Sequence, residues 1–389
     1  MEQAAEEHLM MEGGDYALTK GSHVLTEGSH ALTEGGKAFT GGRLLASGAY
    51  GCVFIPPLRC EGEETTYVDH KGERTVDKLM TEDQAEKEMT VSALIRSRMP
   101  LWKNYVIVAT SSCTPAPKHK QVDPDYSECS LIEEGHLKRM KLLRMRYGGT
   151  PLQSYRMDFQ SHSFFDFVTH LLEGVALLSL SRIVHMDLHM GNILVDSANV
   201  PRIIDVNLSV DVRNHTNLLK RLTHVYSPVY MQESPDNAIL VGAQQGISGQ
   251  VVINDIMRFK TILVTVRSVL GISEREQRAS IEAFYKSSPV AQRGDIVAWF
   301  SFYWRLCDSW AIGCGIVWLI SRLNLWKSFV EGPYALYQAN LLKVLRRMCE
   351  MNPKKRIDAV QALAMLDPDN FVVRTYGKKW LAIVDKFTS

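Results

Sequence analysis

The sequence predicts an α+β fold of two lobes, a small strand-rich lobe followed by a larger, mainly helical one. Short apolar and β-branched runs fill residues 44–147, whereas long stretches with helical apolar spacing follow residue 148. A polar cluster, HMDLHMGNILVD, lies at residues 185–196 between two apolar runs. The strands precede the helices, and the polar cluster lies near their junction. Together these features indicate a two-lobed architecture with a cleft.

Composition places the chain among ordinary globular proteins. Of its 389 residues, 46% are hydrophobic and 22% are charged, enough to build a substantial core. The 44 lysines and arginines nearly balance the 43 aspartates and glutamates. Because a general binder of nucleic acid or membrane surfaces carries excess positive charge, we expect neither as a partner. The oligomeric state stays open.

The cysteines predict reduced thiols. They are seven in number and form no CxxC pair, lying at positions 52, 60, 113, 129, 307, 314 and 349. Such usage is typical of a reducing compartment, and the N-terminus shows no apolar signal segment, so we expect a cytoplasmic protein. The apolar run WAIGCGIVWLI at residues 310–320 is too short to span a bilayer and predicts a buried helix.

Changes in composition divide the chain. A seven-residue repeat in the first part contains glycine, which disfavours helix, so a flexible tail is predicted there, with a repeated strand-turn unit as the alternative. The predicted segments are the tail at 1–41, the strand-rich lobe at 42–146, the helical lobe at 147–372 with an insertion at about 240–300, and a C-terminal extension at 373–389.

Apolar periodicity assigns the individual elements. In the first lobe we predict a strand-turn-strand at 44–55, strands at 75–80, 105–113 and 141–147, and a helix at 81–97. In the second lobe we predict a helix at 164–180, two short strands at NILVD and PRIID, and helices at about 253–268, 273–285, 307–322, 334–351 and 358–366.

The polar cluster is chemically coherent as a phosphoryl-transfer site. Such a reaction needs charge neutralisation and alignment more than covalent chemistry. Asp187 would accept or orient the hydroxyl of the acceptor, and Asn192 and Asp205 would supply the oxygen ligands that suit Mg²⁺. His185 would pack and hydrogen-bond to hold the loop.

Three features upstream fit the same chemistry, although each alone is a weak signal. The glycines of the stretch Gly48-Ala49-Tyr50-Gly51 let backbone N–H groups approach phosphates. Lys78 lies in a predicted strand from which it would reach those phosphates. Glu88, on the following helix, would be the ion-pair partner of Lys78.

This ordered set of a Gly loop, a strand Lys, a helix Glu, HxDxxxxN and a later Asp resembles the protein kinase signature. The resemblance covers roughly residues 42–366 and implies a bilobal protein-kinase-like fold that uses ATP with Mg²⁺ or Mn²⁺. It also implies that Asp308 ties down the backbone of the catalytic loop. Arg356 would form a salt bridge with the end of the activation segment.

The resemblance also implies where the nucleotide lies. Lys78 would position the α and β phosphates under the backbone of the Gly loop, whose first glycine is replaced by Ala46. The adenine would lie against the connection at residues 145–147, where Met145 is the gatekeeper and the backbone up to Tyr147 offers hydrogen bonds. Val53 would form the roof over the ring.

A narrower resemblance is to the predicted serine/threonine kinases of large nucleocytoplasmic DNA viruses. It is carried by SGAYGCVFIPPLRC, by Cys113 after YVIVA, and by LLRMRYGGTPL. This resemblance implies a location in the host cytoplasm or in the virion.

The chain departs from the kinase pattern beside the catalytic Asp. Met186 replaces the Arg that normally pairs with a phosphorylated activation loop, which argues against that form of switching. Thr216, Thr223 and Tyr226 are therefore interpreted as plain loop residues. His189 replaces the usual Lys and is still able to hydrogen-bond a γ-phosphate oxygen.

Two further departures concern the activation segment. Asp205-Val206-Asn207 replaces Asp-Phe-Gly, and Asn tolerates the positive φ that Gly would adopt. The segment's end is either residues 234–236 (Ser-Pro-Asp) or residues 230–233 (Tyr-Met-Gln-Glu), and an acid of either stretch would meet Arg356.

The function we favour from the sequence is transfer of phosphate from ATP to Ser or Thr of protein substrates. Two alternatives remain. A small-molecule phosphotransferase is suggested by HxDxHxxN, which is common in enzymes of the aminoglycoside and choline kinase type. A pseudokinase that acts as a scaffold is suggested by Ala46, Met186 and Asn207. The sequence does not distinguish Ser/Thr from Tyr as the acceptor.

Overall fold

The structure is a computed structural model that describes residues 43–48, 51–62, 74–117, 128–129, 131, 139–157, 163–214, 216, 218–332 and 334–388. The predictions for the tail at 1–41, and those for Ala49 and Tyr50, fall outside the described residues. The chain divides into two compact units, Met1–Ala85 with Ser111–Tyr147 and Glu86–Thr110 with Gly148–Ser389.

The first unit is an antiparallel sheet in the order β1-β2-β3-β5-β4. Its strands are β1 Arg43–Gly48, β2 Gly51–Ile55, β3 Thr75–Thr81, β4 Ser111–Cys113 and β5 Met140–Arg146. β3 and β5 are paired over their whole length, with Lys78 opposite Leu143. Apolar side chains of β2, β3 and β5, including Phe54, Leu79 and Leu142, form a small core beneath the sheet. Five consecutive residues of β3, residues 76–80, are buried, and β2 and β5 are mostly buried or half-buried.

Two disulfides lie in this unit, so the prediction of reduced thiols is wrong for four of the seven cysteines. Cys52 of β2 is joined to Cys129, and Cys60 is joined to Cys113 of β4. The sequence separations are 77 and 53 residues, so the spacing along the chain carries no sign of the pairing. Cys307, Cys314 and Cys349 are free and buried in the second unit.

The predicted strand at 105–113 is wrong for most of its length. Helix α1 (Glu82–Arg98) is followed by a short helix α2 (Trp102–Tyr105), and only Ser111–Cys113 forms a strand. Between them, Val106 makes a parallel bridge to Ile203, and its apolar neighbours are buried in the core of the second unit. The apolar run is therefore core-filling chain, which β-propensity alone does not distinguish from a strand.

The second unit is mainly helical. Its strands are β6 Thr150–Pro151, β7 Ile183–Val184, β8 Ile193–Val195, β9 Pro201–Ile203 and β10 Val210–Asp211. Its further helices are α3 Phe164–Leu180, α4 Leu218–Leu222, α5 Pro235–Gln244, α6 Gly249–Phe259, α7 Ile262–Leu270, α8 Glu274–Ser287, α9 Pro289–Gln292, α10 Ile296–Tyr303, α11 Cys307–Leu323, α12 Lys327–Val330, α13 Tyr334–Met348, α14 Ala359–Leu366 and α15 Lys378–Thr388.

Two buried helices, α3 and α11, form the centre of this unit. Helix α3 starts at the Ser163 cap, whose hydroxyl accepts from the Asp166 N–H, and its predicted bounds agree with the structure. Helix α11 contains the apolar run predicted to be a buried helix, which is confirmed. Residues Ile296–Leu323 are long and apolar enough to cross a membrane, and 83% of the apolar window is buried inside the structure, as a buried core helix also would be.

The insertion is helical, as predicted, but its first predicted helix is broken. Residues 253–268 fall in two helices, α6 and α7, which meet at Lys260 and Thr261. Lys260, with φ of −77° and ψ of 87°, departs from helical backbone and is the C-cap residue of α6. The predicted helix at 273–285 corresponds to α8, which begins with a capping box of Ser273 and Glu276.

Candidate functional site

Asp308 holds the polar loop that follows β7. Its carboxylate accepts from the backbone N–H of His185 at 2.6 Å and from that of Met186 at 3.0 Å. Burial raises the pKa of Asp308, while both backbone donors favour its charged form. Met186 has φ of 68°, a conformation that residues other than Gly rarely adopt and that these contacts sustain. The predicted role of Asp308 is therefore confirmed.

His185 ties the start of this loop to the chain beyond β9. Its Nδ1 accepts from the Asp187 N–H at 3.3 Å, which leaves Nε2 as the protonated nitrogen that donates to the Ile204 carbonyl at 2.9 Å. The side chain is fully buried. The hydrogen-bonding role predicted for His185 is confirmed.

Asp187 lies at the tip of the loop with an amide donor on each carboxylate oxygen. Asn192 Nδ2 donates to Oδ2 at 3.1 Å and also to the Asp187 carbonyl at 2.9 Å. Gln232 Nε2 donates to Oδ1 at 2.9 Å. Because the carboxylate is only half-buried, it is held in place and remains accessible.

His189 is held as a specific tautomer. Its Nδ1 accepts from the Gly191 N–H at 3.0 Å, so the neutral ring carries its proton on Nε2. That nitrogen lies 3.9 Å from Asp187 Oδ2. Desolvation by burial lowers the pKa of His189 more than the nearby Asp187 raises it, which favours a neutral imidazole that donates from Nε2.

Asn192 and Asp205 lie on the two sides of the open end of the β8–β9 hairpin. The Ile204 N–H donates to the Asn192 carbonyl at 3.0 Å, so Asp205 directly follows a residue bonded to Asn192. Asp205 has φ of 60°, and Asn207 behind it is buried. Within the described residues, no group of three or more His, Cys, Asp or Glu side chains is arranged for a metal ion.

The first unit brings the Gly loop and Lys78 together. Val53 of β2 pairs in register with Lys78 of β3, and Gly48 pairs with Gly51. A Cβ on Gly51 would lie 2.7 Å from the Leu79 carbonyl oxygen and 3.2 Å from Lys78 Cγ, so only glycine fits beside the Lys78 stem. Ala46 is exposed on β1, at the register shift between Leu44 and Ala46.

The residues predicted to contact adenine lie at the end of β5. Met145 pairs with Val76 and is half-buried. The Tyr147 N–H donates to the Arg74 carbonyl at 2.8 Å, and the Arg74 guanidinium lies over the Tyr147 ring at 4.8 Å. The sheet therefore uses the Tyr147 N–H, and hydrogen bonds from this stretch to an adenine stay a prediction. Glu88 is buried in α1, and its predicted pairing with Lys78 stays a prediction.

Residues 41–234 match the family model of protein tyrosine and serine/threonine kinases. The chain carries a protein kinase domain. The predicted bilobal fold, with a β-rich N-lobe and a mainly helical C-lobe, is confirmed. No curated protein matches the chain.

The kinase match ends before the late helices, so their assignment depends on contacts in the structure. Arg356 Nη2 lies 2.7 Å from Asp236 Oδ1, and both side chains are fully buried. Trp299 Nε1 donates to the other oxygen of Asp236 at 3.0 Å. Of the two predicted ends of the activation segment, residues 234–236 therefore supply the acid that meets Arg356.

The residues just before this ion pair are held by side chains that the sequence did not single out. Lys260 Nζ donates to the carbonyls of Tyr230 and of Glu233, and Trp310 Nε1 donates to the Met231 carbonyl at 3.1 Å. Burial lowers the pKa of Lys260 to about 8. In the sequence, Lys260 falls inside the predicted helix at 253–268, and Gln232 falls in one of the two stretches considered for the end of the activation segment, without a role of its own.

Proposed function

We propose that this kinase domain transfers the γ-phosphate of ATP to serine or threonine hydroxyls of protein substrates. The observation that carries the proposal is the arrangement of Asp187, accessible yet held by amide donors on both carboxylate oxygens. A carboxylate fixed in this way is suited to orient an incoming hydroxyl and to accept its proton.

His189 stands where serine/threonine kinases usually carry Lys, and its contacts are compatible with a Ser/Thr acceptor, although HxDxHxxN is also the pattern of small-molecule phosphotransferases. Its Nε2–H lies on the Oδ2 side of Asp187, where charge develops on the transferred phosphoryl group. A neutral imidazole donates one hydrogen bond there and adds no full charge. His189 would thus stabilise the moving group less strongly than Lys, without blocking the reaction.

Asn192 and Asp205 fit a divalent metal. The Asn192 amide nitrogen is engaged by Asp187, which leaves its oxygen as the ligand atom, and Asp205 adds a carboxylate from the adjoining turn. Two protein oxygens, completed by phosphates and water, suit Mg²⁺, with Mn²⁺ as a substitute. When bound, the metal neutralises phosphate charge.

In the first unit, Lys78 is the proposed ligand of the α and β phosphates. Its stem is buried beside Gly51, which limits the paths that the ammonium group can take. The backbone at Gly48 and Gly51 would cover the phosphates, and Val53 and Met145 would contact the adenine. Retention of Lys78, Asp187, Asn192 and Asp205 supports an active enzyme over a pseudokinase.

The contacts of Asp308 and Arg356 support a protein acceptor over a small-molecule one. Both residues belong to the helical half of the chain. By resemblance, protein kinases share this half, whereas small-molecule phosphotransferases build it differently. The viral relationship is also part of the proposal, supported by the stretches quoted above. Of the two locations it implies, the two disulfides favour the virion, because the cytoplasm keeps thiols reduced.

The test is transfer from labelled ATP, with Mg²⁺ and then Mn²⁺, onto a mixed basic-protein substrate, followed by phosphoamino-acid analysis. Asp187→Asn is the test variant because it keeps the size of the side chain. Asp369→Asn, at an exposed position, is the matched control. We expect label on Ser and Thr that is lost with Asp187→Asn and retained with Asp369→Asn.

Other outcomes would redirect the assignment. Label on Tyr alone would contradict the Ser/Thr acceptor. Absence of label together with a nucleotide-dependent rise in melting temperature would favour a pseudokinase. Transfer to small hydroxyl compounds but to no protein would favour the small-molecule alternative.

A further inference from the structure

The contact between Gln232 and Asp187 links the end of the activation segment to the catalytic loop. Gln232 Nε2 donates to Asp187 Oδ1 at 2.9 Å across 45 residues of sequence. Asn192 Nδ2 donates to the opposite oxygen, Oδ2, at 3.1 Å. With a donor on each side, rotation of the carboxylate about its Cβ–Cγ bond breaks at least one charge-assisted hydrogen bond.

Gln232 makes this contact from a backbone that is itself held on both sides. The buried Lys260 ammonium donates to the carbonyls of Tyr230 and Glu233, and the Trp310 indole donates to that of Met231. The two residues before Gln232 and the one after it therefore have bonded carbonyls. The half-buried Gln232 side chain extends from a fixed point, so its amide adds a defined constraint.

The contact leaves room for an acceptor. An ionised carboxylate offers about four lone-pair positions, and the structure shows one amide donor on each oxygen. A substrate hydroxyl can therefore donate to the same carboxylate while both amides remain bound. Gln232 can therefore stay in place while the acceptor binds. If Gln232 blocked the site instead, it would have to leave before the acceptor binds.

We infer that Gln232 is a positioning residue, which sets the orientation of the Asp187 carboxylate for the acceptor hydroxyl. The inference rests on the proposed function and deepens it, since it couples the segment preceding α5 to the residue that orients the acceptor. Asn192 alone leaves Oδ1 without this restraint. Small misplacement of an aligned group reduces kcat more than it reduces binding.

The test compares Gln232 variants in peptide phosphorylation, with kcat and both KM values measured separately. Gln232→Met keeps the length but removes the donor, Gln232→Glu replaces the donor with a like charge, and Gln232→Lys keeps a donor. Gln292→Ala is the control, because Gln292 donates only to carbonyls near the end of α8 in the contacts described. We expect kcat to fall about 10-fold to 100-fold for Met and Glu, with partial retention for Lys. KM for ATP and the melting temperature should stay near wild type.

The double variant with Asp187→Asn separates the possible failures. Gln232→Met should add little to Asp187→Asn, because both remove the same alignment. Wild-type kcat for Gln232→Met, or a kcat above wild type, would overturn the inference while leaving the proposed function intact. A wild-type enzyme that transfers no phosphate would remove the proposed function and the inference with it. A fall in melting temperature that matches the loss of kcat would assign Gln232 a structural role instead.

Discussion

Arg356 and Asp236 lie 120 residues apart in sequence and form a fully buried ion pair, with Nη2 2.7 Å from Oδ1. Asp236 is in the first turn of α5, and Arg356 precedes α14, so the pair joins the end of the activation segment to the late helices. The Arg356 guanidinium also lies 5.1 Å from the centre of the Trp310 ring. Trp310 in turn holds the Met231 carbonyl, so one cluster fixes this segment.

Arg356→Met should destabilise the protein by about 3–5 kcal/mol, because it leaves the Asp236 carboxylate buried without its counter-charge. The free energy of unfolding in urea measures the effect, with Arg275→Met at an exposed position as the control. Arg356→Met combined with Asp236→Leu should lose less than Arg356→Met alone. A loss below about 1 kcal/mol for Arg356→Met would show that the pair is not buried as described.

The two disulfides predict the number of reactive thiols. After unfolding without a reducing agent, alkylation should label three cysteines, Cys307, Cys314 and Cys349, and after reduction it should label seven. Mass spectrometry of the peptides gives the count. Cys129→Ser should cost about 2–4 kcal/mol of stability, because it opens a loop of 77 residues. Seven labelled thiols before reduction would contradict the pairing.

His224 predicts a pH dependence of stability. Its Nε2 lies 3.2 Å from Glu233 Oε1, and this hydrogen bond is the main cause that raises the pKa of His224. Because the pKa of His224 is higher in the folded than in the unfolded protein, protonation of His224 stabilises the fold. This stabilisation is fully present below the unfolded pKa of about 6.5 and is lost as the pH rises through the folded pKa. The melting-temperature loss caused by His224→Gln should therefore be largest near pH 5.5 and should shrink towards pH 8.5. A loss independent of pH would argue against a charged pair.

Activity should not require phosphorylation of the activation segment. Met186 offers no guanidinium to a phosphate, and neutral contacts plus Lys260 already hold the segment's end. Thr223 Oγ1 donates to the Leu219 carbonyl in the last turn of α4. Thr216→Ala and Thr223→Ala should each keep kcat within about two-fold of wild type. Loss of activity in either variant, restored by an acidic residue, would show a phosphorylation switch.

Gly191 should be needed for full activity because it leaves space for the His189 ring. A Cβ there would lie 2.8 Å from His189 Cε1 and 3.0 Å from Nδ1, so the ring must shift. We expect Gly191→Ala to lower kcat about 10-fold through displacement of the Nε2–H, with a small effect on stability. In a His189→Ala background the same change should have little further effect. An equal loss in both backgrounds would place the effect in the backbone instead.

Sequence reasoning succeeded where local chemistry decides the outcome. Helix α3 was predicted with its observed bounds, since seventeen residues with a continuous apolar face leave few alternatives. It failed at residues 105–113, where apolar chain fills a core without forming a long strand. The break in the predicted helix at Lys260 also depends on tertiary contacts. A buried lysine is tolerated only when carbonyl groups accept its hydrogens, and here those carbonyls are distant in sequence.

The sequence by itself determined the identity and order of the groups proposed to handle phosphate, because the spacing within HMDLHMGNILVD and the positions of Lys78 and Asp205 are properties of the chain. The tertiary structure decided which distant groups meet them. The pairing of Cys52 with Cys129, the choice of Asp236 for Arg356, and the hydrogen bond from Gln232 to Asp187 all join residues 45 or more positions apart. Such contacts depend on the path of the folded backbone, and many alternative partners have the same local chemistry.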